Sequence, residues 1–313
     1  MAFRFKIVPE NTKLDFQGKN KFAAVFSAFL ILGSVGLFLI QGLNLGIDFK
    51  GGILLEARTS QAEADVGALR RDLGALGLGE VAIQSFGAPQ DVLIRVQRQE
   101  GDEKAQIAAL DKITQTLGAD YEVRRTEFVG PTVGAELKEK GILAVCCALM
   151  AIMVYIWFRF EWQFSIAAIL ALTHDILSTI GLFALTSFEF NLATVAAILT
   201  IAGYSINDTV VVFDRVRENL RRYKSYEQRE ILNVSLNETL SRTVMTSVTT
   251  ALALLAIIIF GGAVLRDFAI ALLWGVTIGT YSSIFIAVGF LSRFDLKAAA
   301  EEADEDGQAK ADG

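Results

Sequence analysis

Histidine occurs once and cysteine twice in these 313 residues, and the two cysteines, Cys146 and Cys147, are neighbours. A zinc-type site needs several such ligands at characteristic spacings, so no metal is expected. A glycine-rich phosphate loop and a nucleophile placed with a base are also missing, which argues against an enzyme and against a bound cofactor. Nucleic acid is not an expected partner. No internal duplication is visible, which leaves the chain short of the paired halves of a complete secondary transporter. No Ala-x-Ala site closes the first apolar run, and its basic leader is long for a signal peptide, so an uncleaved first span is the expectation.

What the chain has in abundance is apolar sequence. Hydrophobic residues make up 53% and mean hydropathy is +0.44, too apolar for an ordinary soluble domain. Runs at 22–40, 142–158, 164–183, 192–213, 243–260 and 268–291 are each long enough to cross roughly 30 Å of hydrocarbon as helices. The net charge of −6 misleads, because the carboxylates concentrate in 56–139 and in the last residues. Lysine and arginine crowd the ends of alternate spans, whereas the turn at 187–191 holds Glu189 and no basic residue. That asymmetry puts both termini in the cytoplasm and the polar insert outside. The expected order is a cytoplasmic segment 1–21, a first span within 22–41, an extracytoplasmic insert 42–139, a five-helix region 140–292 with a basic cytoplasmic loop at 214–241, and a cytoplasmic tail 293–313. The acidic, alanine-rich tail is expected to be disordered.

Periodicity within the insert reads strand at 53–58, helix at 61–76, strands at 81–85 and 91–97, helix at 103–117 and strand at 121–129. This β-α-β-β-α-β order predicts a ferredoxin-like α+β domain between the first and second membrane helices. Its borders carry Gly46-Ile-Asp-Phe-Lys-Gly-Gly52 and Phe128-Val-Gly-Pro-Thr-Val-Gly134. Gly46, Gly51, Gly52, Gly130 and Gly134 permit positive φ or close backbone approach, while Pro131 fixes a turn. These residues, with Asp48, are either ordinary turn chemistry or the joint on which the domain swings.

Ionisable groups inside the spans need a reason, since each costs at least about 2.5–3.5 kcal/mol at mid-depth. Asp208, beside Asn207, is either a carboxylate that snorkels or is neutralised, or a titrating group in a proton path. His174 and Asp175 lie about 100° apart on one helix, so only one can face a given neighbour, and they serve either packing and a polar network or a proton relay. Arg242 opens a hydroxyl-rich stretch, Thr243 to Thr250, and either reaches the interface or faces a hydrated bundle interior. The basic set from Arg215 to Lys224 marks topology and attraction to anionic membrane lipid, or contact with a partner. Gly275 and Gly279 form a helix-contact pattern.

Taken together, Gly46-Ile-Asp-Phe-Lys-Gly-Gly52, Glu127-Phe-Val-Gly-Pro-Thr-Val-Gly134, Phe158-Arg-Phe-Glu-Trp162, Thr173-His-Asp175, the run Gly203 to Asn219 and Thr239-Leu-Ser-Arg-Thr-Val-Met-Thr-Ser247 resemble the SecF family of bacterial protein-export membrane subunits, from the first span to about Arg293. The resemblance implies a six-span half of a resistance-nodulation-division type transporter, paired with SecD and associated with YajC, the SecYEG channel and SecA-driven preproteins in the inner membrane. It implies a periplasmic ferredoxin-like domain and use of the proton gradient in export. It places the family's functional acid on Asp208 and its functional arginine on Arg242. Lys50 departs from the pattern, since relatives commonly carry threonine before the two glycines. A proton-driven efflux half and a passive scaffold are the rival readings.

Overall fold

In a computed structural model, residues 12–99, 101 and 103–297 are described, so the first eleven residues and most of the expected tail lie outside the described residues. Among the described residues, six helices are long and apolar enough to cross a membrane. In chain order the elements are α1 (Asn20–Gln41), α2 (Ile47–Lys50), β1 (Gly52–Thr59), α3 (Val66–Gly74), β2 (Val81–Phe86), β3 (Ala88–Val96), α4 (Glu103–Leu117), β4 (Tyr121–Val129), α5 (Pro131–Arg159), α6 (Trp162–Thr186), α7 (Leu192–Arg222), α8 (Gln228–Phe260) and α9 (Ala263–Ser282). A π-helical turn, Ser283–Ala287, and α10 (Val288–Leu291) complete the last span.

The insert is the expected ferredoxin-like domain. Its strands pair antiparallel throughout in the order β2-β3-β1-β4. Alternation along β1 turns Ile53, Leu55 and Ala57 toward Leu69 and Leu73 of α3 and Ile113 of α4. The opposite face of the sheet looks at the α6–α7 turn across a groove of about 630 Å³, lined by Leu54, Glu56, Leu93, Arg125 and Glu127 from the sheet and by Glu189 and Thr194 below.

In the bundle, α6, α7 and the last span are inner helices, while α1, α5 and α8 keep most of their surface outward. On α1, Phe22, Val25, Phe29, Leu32 and Leu39 are exposed, and the buried positions are the small Ala23, Ser27 and Ser34. That distribution suits a helix with lipid on most sides and a close contact on one. The contact is with α6, where a β-carbon on Gly181 would lie 2.0 Å from Ser34 Oγ. Gly275 meets Ile201 of α7 in the same manner, and Gly279 meets Ser205.

Two boundaries differ from expectation. The basic loop expected at 214–241 is helical except for residues 223–227, because Val212, Phe213, Val216 and Leu220 continue the buried stripe of α7 against Ile231, Leu232 and Leu236 of α8. A helical apolar stripe persists beneath the charges, and charge density alone hides it. The insert ends sooner than residue 139, since α5 starts at Pro131 and carries Glu136 to Lys140 on its first turns.

Both described ends of the chain lie at the end of the bundle away from the β-domain. Leu14 N and Phe16 N donate to Asn237 and Asn233 of α8, and Leu296 N donates to Gln228. The β-domain instead sits on the α6–α7 turn, to which Asn44 and Gly46 are hydrogen-bonded.

Candidate functional site

Two polar clusters lie inside the bundle, on neighbouring sides of α7. Asp175 of α6 is fully buried, at 0% exposure. Its Oδ2 accepts from Ser205 Oγ of α7 at 2.5 Å and from Ser282 Oγ of α9 at 2.7 Å, and its Oδ1 lies 3.1 Å from His174 Nδ1. His174 is also buried, its Nε2 is unpartnered, and its ring lies 5.9 Å from that of Tyr281. Thr209 Oγ1 lies 2.8 Å from Ser283 Oγ, tying α7 to the π-helical turn. His174 and Asp175, about 100° apart on the helix, nevertheless contact each other, and they belong to a junction of three spans.

Asp208 is 3% exposed, yet its Oδ2 has no hydrogen-bond partner. The groups of α8 that act on it are the Arg242 guanidinium and the Thr246 hydroxyl. Arg242 itself is exposed, as is Asn207 next to Asp208. On α8 the hydroxyls of Thr246, Ser247 and Thr249 bond back to carbonyls one turn earlier, and Ser247 also reaches Thr280 of α9. They are therefore largely satisfied within their own helix. Asp208 lies within electrostatic reach of an opposite charge on the neighbouring helix, with no direct ion pair between the two and with an accepting oxygen left free. A proton can be taken up there without breaking a hydrogen bond to that oxygen.

The two glycine motifs bordering the insert come together outside the bundle. Gly52 has φ +130°, and a β-carbon there would lie 2.5 Å from the carbonyl oxygen of Val96. A β-carbon on Gly134 at the start of α5 would stand 3.2 Å from Gly51 N. Gly130 is the N-cap of α5 and Pro131 its first residue, the position where a missing N–H is harmless. Asp48 Oδ2 accepts from Leu192 N at 2.8 Å, placing a carboxylate on the N-terminus of α7 beside the Asn191–Thr194 capping box. Gly46 leaves room for Glu189, which is ion-paired to Arg95 of β3; Arg95 also donates to Asn44 Oδ1 at 3.1 Å. Burial pushes the Glu189 carboxyl up, against the pull of Arg95 and with the help of nearby Asp48 and Asp267. The motif residues thus form a close-packed joint between domain and bundle. Arg95, Ser205 and Ser282 were not legible as site residues, since a lone hydroxyl in an apolar run and an arginine on a strand are ordinary.

Among the described residues no group of three or more His, Cys, Asp or Glu side chains is placed to hold a metal ion.

The family profile "Protein export membrane protein SecD/SecF, C-terminal" matches residues 109–297, and that of the SecD/SecF GG motif matches residues 36–63. The chain belongs to the SecF family. Protein translocase subunit SecF of Cereibacter sphaeroides is 47% identical over 92% of this chain and 91% of its own length. The Rickettsia rickettsii subunit SecF is 44% identical over 93% and 95%. Among solved structures, SecDF of Thermus thermophilus, a translocon-associated membrane protein, superposes with a TM-score of 0.83 at 35% identity over 92% of this chain. SecDF in a super-membrane-facing form gives 0.68 at 37% identity. The chain spans 39% and 40% of those two chains. In SecF-family terms the GG motif is the Gly51–Gly52 pair, and the close approaches at Gly52 and Gly134 give it a steric reason. The chain is thereby a multi-pass membrane protein of the protein-export machinery.

Proposed function

We propose that this SecF subunit works as one half of a proton-driven unit that promotes preprotein export, with Asp208 as the proton carrier. The observation that carries the reading is Asp208 itself: buried, within electrostatic reach of Arg242, and with one carboxylate oxygen left without a partner. SecD is the other half. The chain matches about two-fifths of single-chain SecDF structures, and the exposed Asn207 and Arg242 beside Asp208 give a second half a surface next to the carrier. On this reading Asp208 alternates between protonated and ionised states, Arg242 attracts it only when ionised, and the change is passed on as altered packing of α7 on α8. A proton crossing 100 mV releases about 2.3 kcal/mol, enough to bias a two-state equilibrium about fifty-fold. That suits rectified motion of a translocating chain better than forceful pulling.

The membrane is the bacterial inner membrane, with both termini cytoplasmic and the β-domain periplasmic; the basic residues of 215–242 lie at the end opposite that domain and support the orientation. YajC, the SecYEG channel and SecA-driven preproteins are the wider partners, and the unit transports without enzymatic chemistry, metal or cofactor. The test is completion of preprotein export by inverted membrane vesicles with and without a proton gradient. Asp208→Asn and Arg242→Ala should each remove the gradient-dependent part while leaving assembly with SecD intact. Normal gradient dependence in both variants would refute the reading.

A further inference from the structure

Asp175 and Asp208 differ in one respect that separates their roles. Asp175 is met by three side chains that can donate, Ser205, Ser282 and His174, which fill most of the roughly four accepting positions of a carboxylate. It is sealed at 0% exposure, and its own backbone carbonyl accepts from Ser178 and Thr179. The titratable side chains around it are His174 on the same helix and Tyr281 on α9, the latter engaged with Ser27 and the Ala23 carbonyl of α1. Neither oxygen of Asp175 is left without a partner, whereas Asp208 Oδ2 has none. The contacts of Asp175 run to two other spans. Ser205 lies three residues before Asp208, so about 4.5 Å of helix rise and about 60° of rotation separate the pinned position from the carrier. Ser282 directly precedes the π-helical turn Ser283–Ala287, and Ser283 donates to the carbonyl of Ser205 at 3.4 Å. A wide turn of this kind lets two successive hydroxyls reach inward where a regular helix would turn one of them away.

We propose that Asp175 is a positioning residue. Its carboxylate fastens α7 and the last span to α6 through Ser205 and Ser282, holding Asp208 in place so that a charge change there displaces α8 and not α7. This inference rests on Asp208 being the carrier for its flux consequences, and on contacts alone for the pinning itself.

The test uses the complete complex with the partner half, comparing wild type, Asp175→Asn and the double variant Ser205→Ala/Ser282→Ala. Two readouts are taken: hydrogen exchange of residues 200–213, and the pH profile of proton flux in vesicles. The serine double variant replaces no ionisable group, yet it should speed exchange over 200–213 and displace the flux midpoint, with flux about tenfold lower from a misplaced carrier. Asp175→Asn keeps an accepting oxygen and an amide that a serine can accept from, so it should retain flux, with a displaced midpoint. Unchanged exchange in the double variant overturns the pinning whether or not the complex conducts protons. Loss of flux in Asp175→Asn as complete as in Asp208→Asn overturns it in favour of a relay. Absence of flux in wild type refutes the carrier reading alone and leaves the pin decided by exchange.

Discussion

Residue by residue, what matters is which buried polar atoms are satisfied and which are left over. Asp175→Ala strands two hydroxyls and a histidine nitrogen in the core, at a cost of about 2–5 kcal/mol. Asp208→Asn strands no partner of Oδ2, which has none, and gives up only the attraction of Arg242 and the Thr246 hydroxyl, so the complex carrying it should melt above the one carrying Asp175→Ala. Thermal unfolding of the purified complex compares the two directly, and a melting point for Asp208→Asn at or below that of Asp175→Ala would contradict the assignment. Gly52 is the residue to alter in the joint. A methyl group there meets the Val96 carbonyl at 2.5 Å with φ at +130°, so Gly52→Ala should destabilise the insert by about 1–3 kcal/mol, read as faster proteolysis of residues 52–129 in the full chain. Outside the membrane, Arg58 holds the Asp91 carboxyl below its usual value through paired hydrogen bonds of 2.5 Å. A depressed carboxyl contributes stability that is complete above pH 3.8, its ordinary value, and is lost as pH falls through the lower folded value. Asp91→Asn should flatten that acid limb in hydrogen exchange of the β-domain.

At the level of elements, the six spans and the α+β insert were legible because each depends on local pattern: uninterrupted apolar length for the spans, period two and period 3.6 for the insert. The helical continuation of α7 and α8 past residues 214–241 was not, because charged side chains on one face outweighed the stripe Val212, Val216 and Leu220 on the other. Asp208, Arg242 and the His174–Asp175 pair were legible as costly groups in apolar sequence, whereas Ser205 and Ser282 gain their meaning only from helices distant in sequence meeting at Asp175. The same holds for the Arg95–Glu189 pair that joins β3 to the α6–α7 turn. Since the docked state raises the Glu189 carboxyl above its ordinary 4.5, docking takes up a proton. The joint should therefore tighten as pH falls through the raised value and level off below 4.5. Glu189→Gln should abolish that pH dependence, and Arg95→Ala should move it to higher pH by removing the opposing cation. Hydrogen exchange of residues 44–52 against pH reports both, and loosening on acidification in wild type would show the sign to be wrong.

Across the whole molecule, inner helices α6, α7 and α9 are fastened by Asp175, outer helices α1, α5 and α8 present apolar surface, and the β-domain is clamped onto the α6–α7 turn directly above α7. α7 thus carries Asp208 within the bundle and, at its outer end, the N-terminus that Asp48 of the GG motif caps. Any tilt of α8 against α7 would reach the surface as a change at one defined joint. Proton flux through vesicles containing this chain with SecD is the most direct measurement of that account. Wild type should conduct protons down an imposed gradient and Asp208→Asn should not, although both assemble. Equal flux in the two would mean that the Asp208 carboxyl at the α7–α8 boundary carries nothing.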